Sequence, residues 1–150
     1  MSVQLSKLFS FIEYKAIGDK AVADGMWRND RRVFLPGMGW FNDWYLDRDH
    51  GKDFLSPYYY RDWADKRPPI ELVCPDGNIW CIDRRSSNGD GWVVTGEWPN
   101  ITCSPSIDCS PMGTGGSYYH GYLQNGFFTN DLGGQSFLIP NIGPDYGRPK

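Results

Sequence analysis

The chain has 150 residues, with 15 Lys and Arg against 18 Asp and Glu, a formal charge of −3, 40% hydrophobic residues and 16% aromatic ones. That length suits one domain, or one compact domain with an arm, and is enough for a sizeable core; the apolar content excludes a disordered chain. No block of Lys or Arg offers a footprint for general nucleic-acid binding, and no apolar run approaches the roughly 18 residues of a membrane span. The opening MSVQLSKLFSFIEYK carries Glu13 and lacks both the apolar stretch and the cleavage site of a signal peptide, which points to a cytoplasm.

Leu5, Leu8, Phe9 and Ile12 follow the i, i+3, i+4, i+7 spacing of one helix face. This predicts a short amphipathic helix from about Val3 to Ala16, with Gly18 as its stop. Eleven of the 24 aromatic residues fall between Trp27 and Trp63, in a stretch rich in Asp, Arg and Gly that reads as ordered but irregular. Ser56-Pro57 marks a second short helix through residues 58–66, which must end before Pro68-Pro69.

From Ile70 the period changes. Ile70 to Cys74 and Asn78 to Asp83 form a hairpin around Pro75-Asp76-Gly77. Trp92 to Thr95, Ile101 to Cys103, Tyr118 to Leu123 and Phe127 to Thr129 read as further strands, the last two joined by the turn Gln124-Asn125-Gly126. The fold class expected is mainly β (α+β): a small β-rich sandwich or half-barrel over residues 70–140, preceded by an aromatic-rich arm with short helices over 1–69 and followed by a tail over 141–150.

Several constellations invite chemistry. Cys74, Cys81, Cys103 and Cys109 suggest zinc, but their spacing, C-x6-C-x21-C-x5-C, lacks the close pairing of knuckle motifs, and buried reduced thiols are the plainer expectation. The run Asp47 to Asp53 imitates a calcium loop with its Gly one place early and no Glu at the end. Gly113, Gly115 and Gly116 precede a strand where a phosphate loop would open a helix. Asn100-Ile101-Thr102 is a glycosylation sequon without a secretory route. No cofactor or metal is therefore expected, with zinc held by the four cysteines, and His120 as an extra ligand, as the weaker alternative.

Ser104-Pro105-Ser106-Ile107 follows a strand, and His120 lies in another whose alternation puts Tyr118, His120 and Tyr122 on one face. A serine nucleophile needs a base for its proton and an acid or amide to orient that base. His120 is the better base, since His50 sits in a charged loop, and Asp83, Asp108, Asp131 or Asn130 are the candidate orienters. The G-x-S-x-G elbow is absent. The competing expectation makes His120 a hydrogen-bonded partner of tyrosines on a packed strand.

These residues carry a resemblance. Trp98-Pro99-Asn100-Ile101-Thr102-Cys103-Ser104-Pro105-Ser106-Ile107, then Tyr119-His120-Gly121, Asn125-Gly126, Leu132-Gly133-Gly134-Gln135 and Ile139-Pro140 resemble the BubE-like family of small bacterial and phage proteins, over roughly Cys74 to Pro140. The resemblance implies a serine-peptidase role in removing a ubiquitin-like modifier, with Ser104 and Ser106 at the serine positions and His120 at the histidine. Tyr119 stands where the family has a cysteine, and Asn130 where it has a second histidine. An amide there can orient an imidazole but cannot act as a base. The Gly-rich loop would supply an oxyanion hole.

The segment Asp53 to Ile70, together with Gly89 to Gly96, is similar to short tailed-phage proteins of unassigned role. Joined to the aromatic load, this gives the first functional expectation: a phage structural or interaction protein, in the virion or bound to a host protein, in the host cytoplasm or carried into the particle. Trp and Tyr dominate binding hot spots. Its partners would be viral or host proteins or copies of itself, not nucleic acid or membrane. The alternative is a serine hydrolase or peptidase using Ser106 or Ser104 with His120.

Overall fold

The computed structural model describes residues 3–27, 33–41, 69–83, 92–110 and 118–137. The second helix expected after Ser56, the calcium-like run, the aromatic residues from Trp44 to Trp63, the glycines at 113–116 and the tail lie outside them.

Two tight turns set the β structure. Strands β4 (Ile70–Val73) and β5 (Ile79–Cys81) pair antiparallel with Val73 opposite Ile79. Between them the Gly77 amide donates to the Cys74 carbonyl at 2.8 Å, and Gly77 takes φ +87°, the left-handed residue that closes a three-residue hairpin loop. Strands β8 (His120–Gln124) and β9 (Phe127–Phe128) are joined by Asn125 and Gly126, with φ values of 47° and 84°. Positive φ at both central residues is what a type I′ hairpin demands.

The remaining strands are β1 (Val3–Gln4), β2 (Leu8–Phe9), β3 (Gly39–Phe41), β6 (Val93–Thr95) and β7 (Thr102–Asp108). They form a five-stranded sheet in the order β1-β9-β8-β7-β6 and a four-stranded sheet in the order β2-β3-β4-β5, antiparallel except for the β2–β3 pair. Segments from both sides of residue 69 share each sheet: β1 extends the larger one beside β9, and β2 and β3 extend the smaller one beside β4. The boundary expected there runs through the four-stranded sheet.

Strand alternation sorts the side chains into two cores. Ile70, Leu72, Trp80 and Ile82 from the smaller sheet meet Ile107, Leu123 and Phe128 from the larger one in a single cluster, so the sheets pack face to face. Val73, on the opposite face of β4, joins Phe9, Phe34 and Trp40 beneath helix α1 (Phe11–Ala23), which contributes Ile17 and Ala21. Tyr14 of α1 stacks on Trp40 with ring centroids 4.3 Å apart, and the Trp40 indole N–H donates to Glu71 Oε2 at 2.9 Å. The protein is thus β-rich, with one described helix covering the smaller sheet. Of the described rings from the aromatic stretch, Phe34 and Trp40 are core residues, whereas Trp27 is 80% exposed.

The helix differs from the sequence expectation at both ends. It begins at Phe11 because Ser10 caps it: Ser10 Oγ accepts from the Glu13 amide at 3.1 Å, and Glu13 Oε1 accepts from the Ser10 amide at 2.9 Å. The apparent helical spacing is accidental: Leu5, just past β1, and Phe9 of β2 pack into different cores, and Ile12 is 78% exposed. Gly18 is a buried helical residue, not a stop. The end comes at Gly25, with φ +85°, where the Met26 and Gly25 amides return to the Ala21 and Val22 carbonyls.

Candidate active site

Strand β7 runs further than its sequence suggests, and its irregularity builds the site. Cys103 pairs with Leu123 and Ile107 with Gly121, so four steps along β7 span two along β8. Cys103 and Ile107 both point into the core, and the bulge pushes Ser104, Pro105 and Ser106 toward the opposite face. Ser106 Oγ thereby comes within 3.2 Å of His120 Nε2 on the exposed face of β8. With the ring proton on Nδ1, the serine hydroxyl donates to the imidazole, the arrangement of a nucleophile and its base. The Trp92 indole N–H donates to the Ser106 carbonyl at 3.3 Å, tying the bulge to β6 and to Trp80, whose ring Trp92 meets edge-on.

The backbone of His120 is clamped from both sides. Its amide donates to Asp131 Oδ1 at 2.9 Å, and its carbonyl accepts from the Leu132 amide at 2.7 Å. Asp131 Oδ2 accepts in turn from the amides of Gly133 and Gln135 and from the Gln135 side chain. Burial pushes the Asp131 carboxyl upward, but the amides of Gln135, His120 and Gly133 outweigh it and leave it below the usual 3.8. Asp131→Asn keeps an acceptor and loses the charge, so chemical denaturation at pH 7 should show a loss of about 1 kcal/mol. Because the carboxyl is depressed in the folded state, that difference is full above about pH 4 and shrinks as pH falls through the folded value.

Behind His120 the chain crosses itself closely. Tyr119 is buried, its amide donates to Asp76 Oδ2 and its phenol to the Thr129 carbonyl, both at 2.9 Å. The ring passes over Gly121, where an added Cβ would stand 2.6 Å from Tyr119 Cζ and 2.8 Å from Thr129 Oγ1. Burial pushes the Tyr119 phenol up to about 12, helped by Cys74, Cys109 and Asp131 and opposed by its hydrogen bond to Thr129, so it stays a neutral donor.

Asp108 is the register partner of His120 across β7 and β8, on the same exposed side. Its Oδ1 accepts from the Ser110 amide at 2.9 Å. That bond holds its carboxyl below the usual range, and the neighbouring His120 charge adds to the effect. Asp108 therefore stands beside the imidazole as an anion, with no direct hydrogen bond to it.

The other candidates are placed elsewhere. Ser104 is exposed opposite Val93 of β6 and makes no hydrogen bond with His120. Asn130 is exposed and makes none with the imidazole, while its neighbour Asp131 takes the His120 amide. Asp83 is buried just past β5, accepting from the Ile70 amide at 2.8 Å. The four cysteines are free thiols; Cys74, Cys103 and Cys109 are buried, and burial with Cys109 alongside pushes the Cys74 thiol well up. Among the described residues no three His, Cys, Asp or Glu side chains converge on a metal position, and no helix is long and apolar enough to cross a membrane. Comparison with protein families, curated proteins and solved structures returned no match for the chain.

Proposed function

We propose that this protein is a serine hydrolase that cleaves an acyl bond with Ser106 as nucleophile and His120 as general base. The 3.2 Å approach of Ser106 Oγ to His120 Nε2 carries the reading, and the likeness of the serine-proline-serine and histidine strings to the BubE-like family agrees with it. Ser106 Oγ attacks the acyl carbonyl as its proton passes to Nε2. The resulting imidazolium, which faces the Asp108 carboxylate across the strands, returns that proton to the leaving alcohol or amine. Water, deprotonated by the same imidazole, then releases the acyl group as a carboxylic acid and restores the serine. A fluorophosphonate probe tests this: labelling of the purified chain is expected to vanish in Ser106→Ala and to persist in Ser104→Ala. Labelling that survives Ser106→Ala counts against the dyad.

The exposed Trp27 favours a second reading, in which the chain works by contact with a protein partner. Trp27→Ala would then weaken association with that partner while leaving probe labelling unchanged.

A further inference from the structure

The strands that carry Ser106 and His120 are free of lysine and arginine. From residue 86 to 147 the chain contains no Lys or Arg. None of the five strands of the larger sheet carries one either. Among the described residues, the charged side chain that the strand register sets beside the dyad is Asp108, an anion held opposite His120. A carboxylate or phosphate arriving there would meet a negative neighbour and no cation on those strands.

The same face exposes apolar side chains from the strands flanking the dyad, and Leu132 lies exposed beside it. Val93 is 59% exposed next to Ser104, Tyr122 is 37% exposed two residues along β8 from His120, and Leu132, whose amide bonds the His120 carbonyl, is 55% exposed. Alternation places Tyr122 on the same side of β8 as His120, and register places Val93 on the same side as Ser104. An acyl chain bound with its carbonyl at Ser106 would thus lie along apolar side chains.

Building on the hydrolase reading, we propose that the acyl group the site accepts is apolar and uncharged, and that acyl groups carrying a negative charge are turned away. Apolar contact at Val93, Tyr122 and Leu132 supplies the attraction, and the uncompensated Asp108 supplies the discrimination.

The test compares hydrolysis of 4-nitrophenyl hexanoate with that of 4-nitrophenyl hemiadipate, acyl groups of equal length of which the second ends in a carboxylate. The full chain is expected to favour the hexanoate in kcat/KM by about tenfold at low salt, with the gap narrowing at high salt as the repulsion is screened. Val93→Lys, at an exposed position outside the dyad, should raise kcat/KM for the hemiadipate about fivefold without raising that for the hexanoate. Equal turnover of the two esters by the unaltered chain, or an unchanged preference in Val93→Lys, overturns the proposal alone. Absence of turnover together with absence of fluorophosphonate labelling overturns the hydrolase reading and the proposal with it.

Discussion

His120→Ala is expected to lower turnover of 4-nitrophenyl hexanoate by about 10²- to 10⁴-fold, the usual contribution of a positioned general base. The reason is geometric: Ser106 Oγ, at 3.2 Å, loses the acceptor for its proton and reverts to an ordinary alcohol. The fold should survive, because the imidazole is exposed and His120 is held by its backbone, through Asp131 and Leu132, and not by its ring. Circular dichroism and the denaturation midpoint should match the unaltered chain. A fall in turnover with an intact fold assigns the loss to the imidazole. Asp108→Asn should lower turnover less, since Asp108 acts on the ring by charge alone, and the serine and its base remain in place.

Gly121→Ala is expected to produce the largest loss of stability among single substitutions near the site, about 2–3 kcal/mol. The added methyl would enter the Tyr119 ring and the Thr129 hydroxyl. Tyr119 cannot retreat cheaply, because it is buried with its amide on Asp76 and its phenol on the Thr129 carbonyl. Equilibrium denaturation reads the cost. Combining the substitution with Tyr119→Phe should recover little, since the ring carbon at 2.6 Å remains. Tyr119→Leu, which removes the flat ring, should reduce the additional penalty of the methyl. A Gly121→Ala chain of unchanged stability would contradict this packing.

Much of the β structure could be read from local chemistry. Pro75-Asp76-Gly77 and Asn125-Gly126 carry the backbone requirements of their turns, and both hairpins form where those residues stand. Alternation put His120 and Tyr122 on one face of β8, and pairing of the sheets turns that face outward, where His120 meets Ser106 and not a tyrosine. The first helix was misread because Leu5, Leu8 and Phe9 satisfy a helical spacing while serving two sheets, a long-range pairing that local periodicity does not encode. Ser10 with Glu13, three residues on, was the available signal for the true start.

At the site, Ser106 and His120 were legible as residue types, but the choice between Ser104 and Ser106 was not. It depends on a bulge that adds two residues to β7, a feature of pairing between strands that no spacing along the chain displays. Asp131 looked like a candidate orienter of the ring, yet its carboxylate is occupied by backbone amides. Asp108 gains its role from register opposite His120, which becomes visible only once β7 and β8 are paired.

The most direct test is peptide mapping by mass spectrometry after fluorophosphonate treatment near pH 8. Chymotrypsin is the suitable protease, because the Lys- and Arg-free stretch gives trypsin no site between residues 86 and 147. One phosphonyl adduct on Ser106, absent from His120→Ala under the same conditions, is the expected result. An adduct on Ser104, or no modified serine in the chain, would contradict a Ser106–His120 dyad.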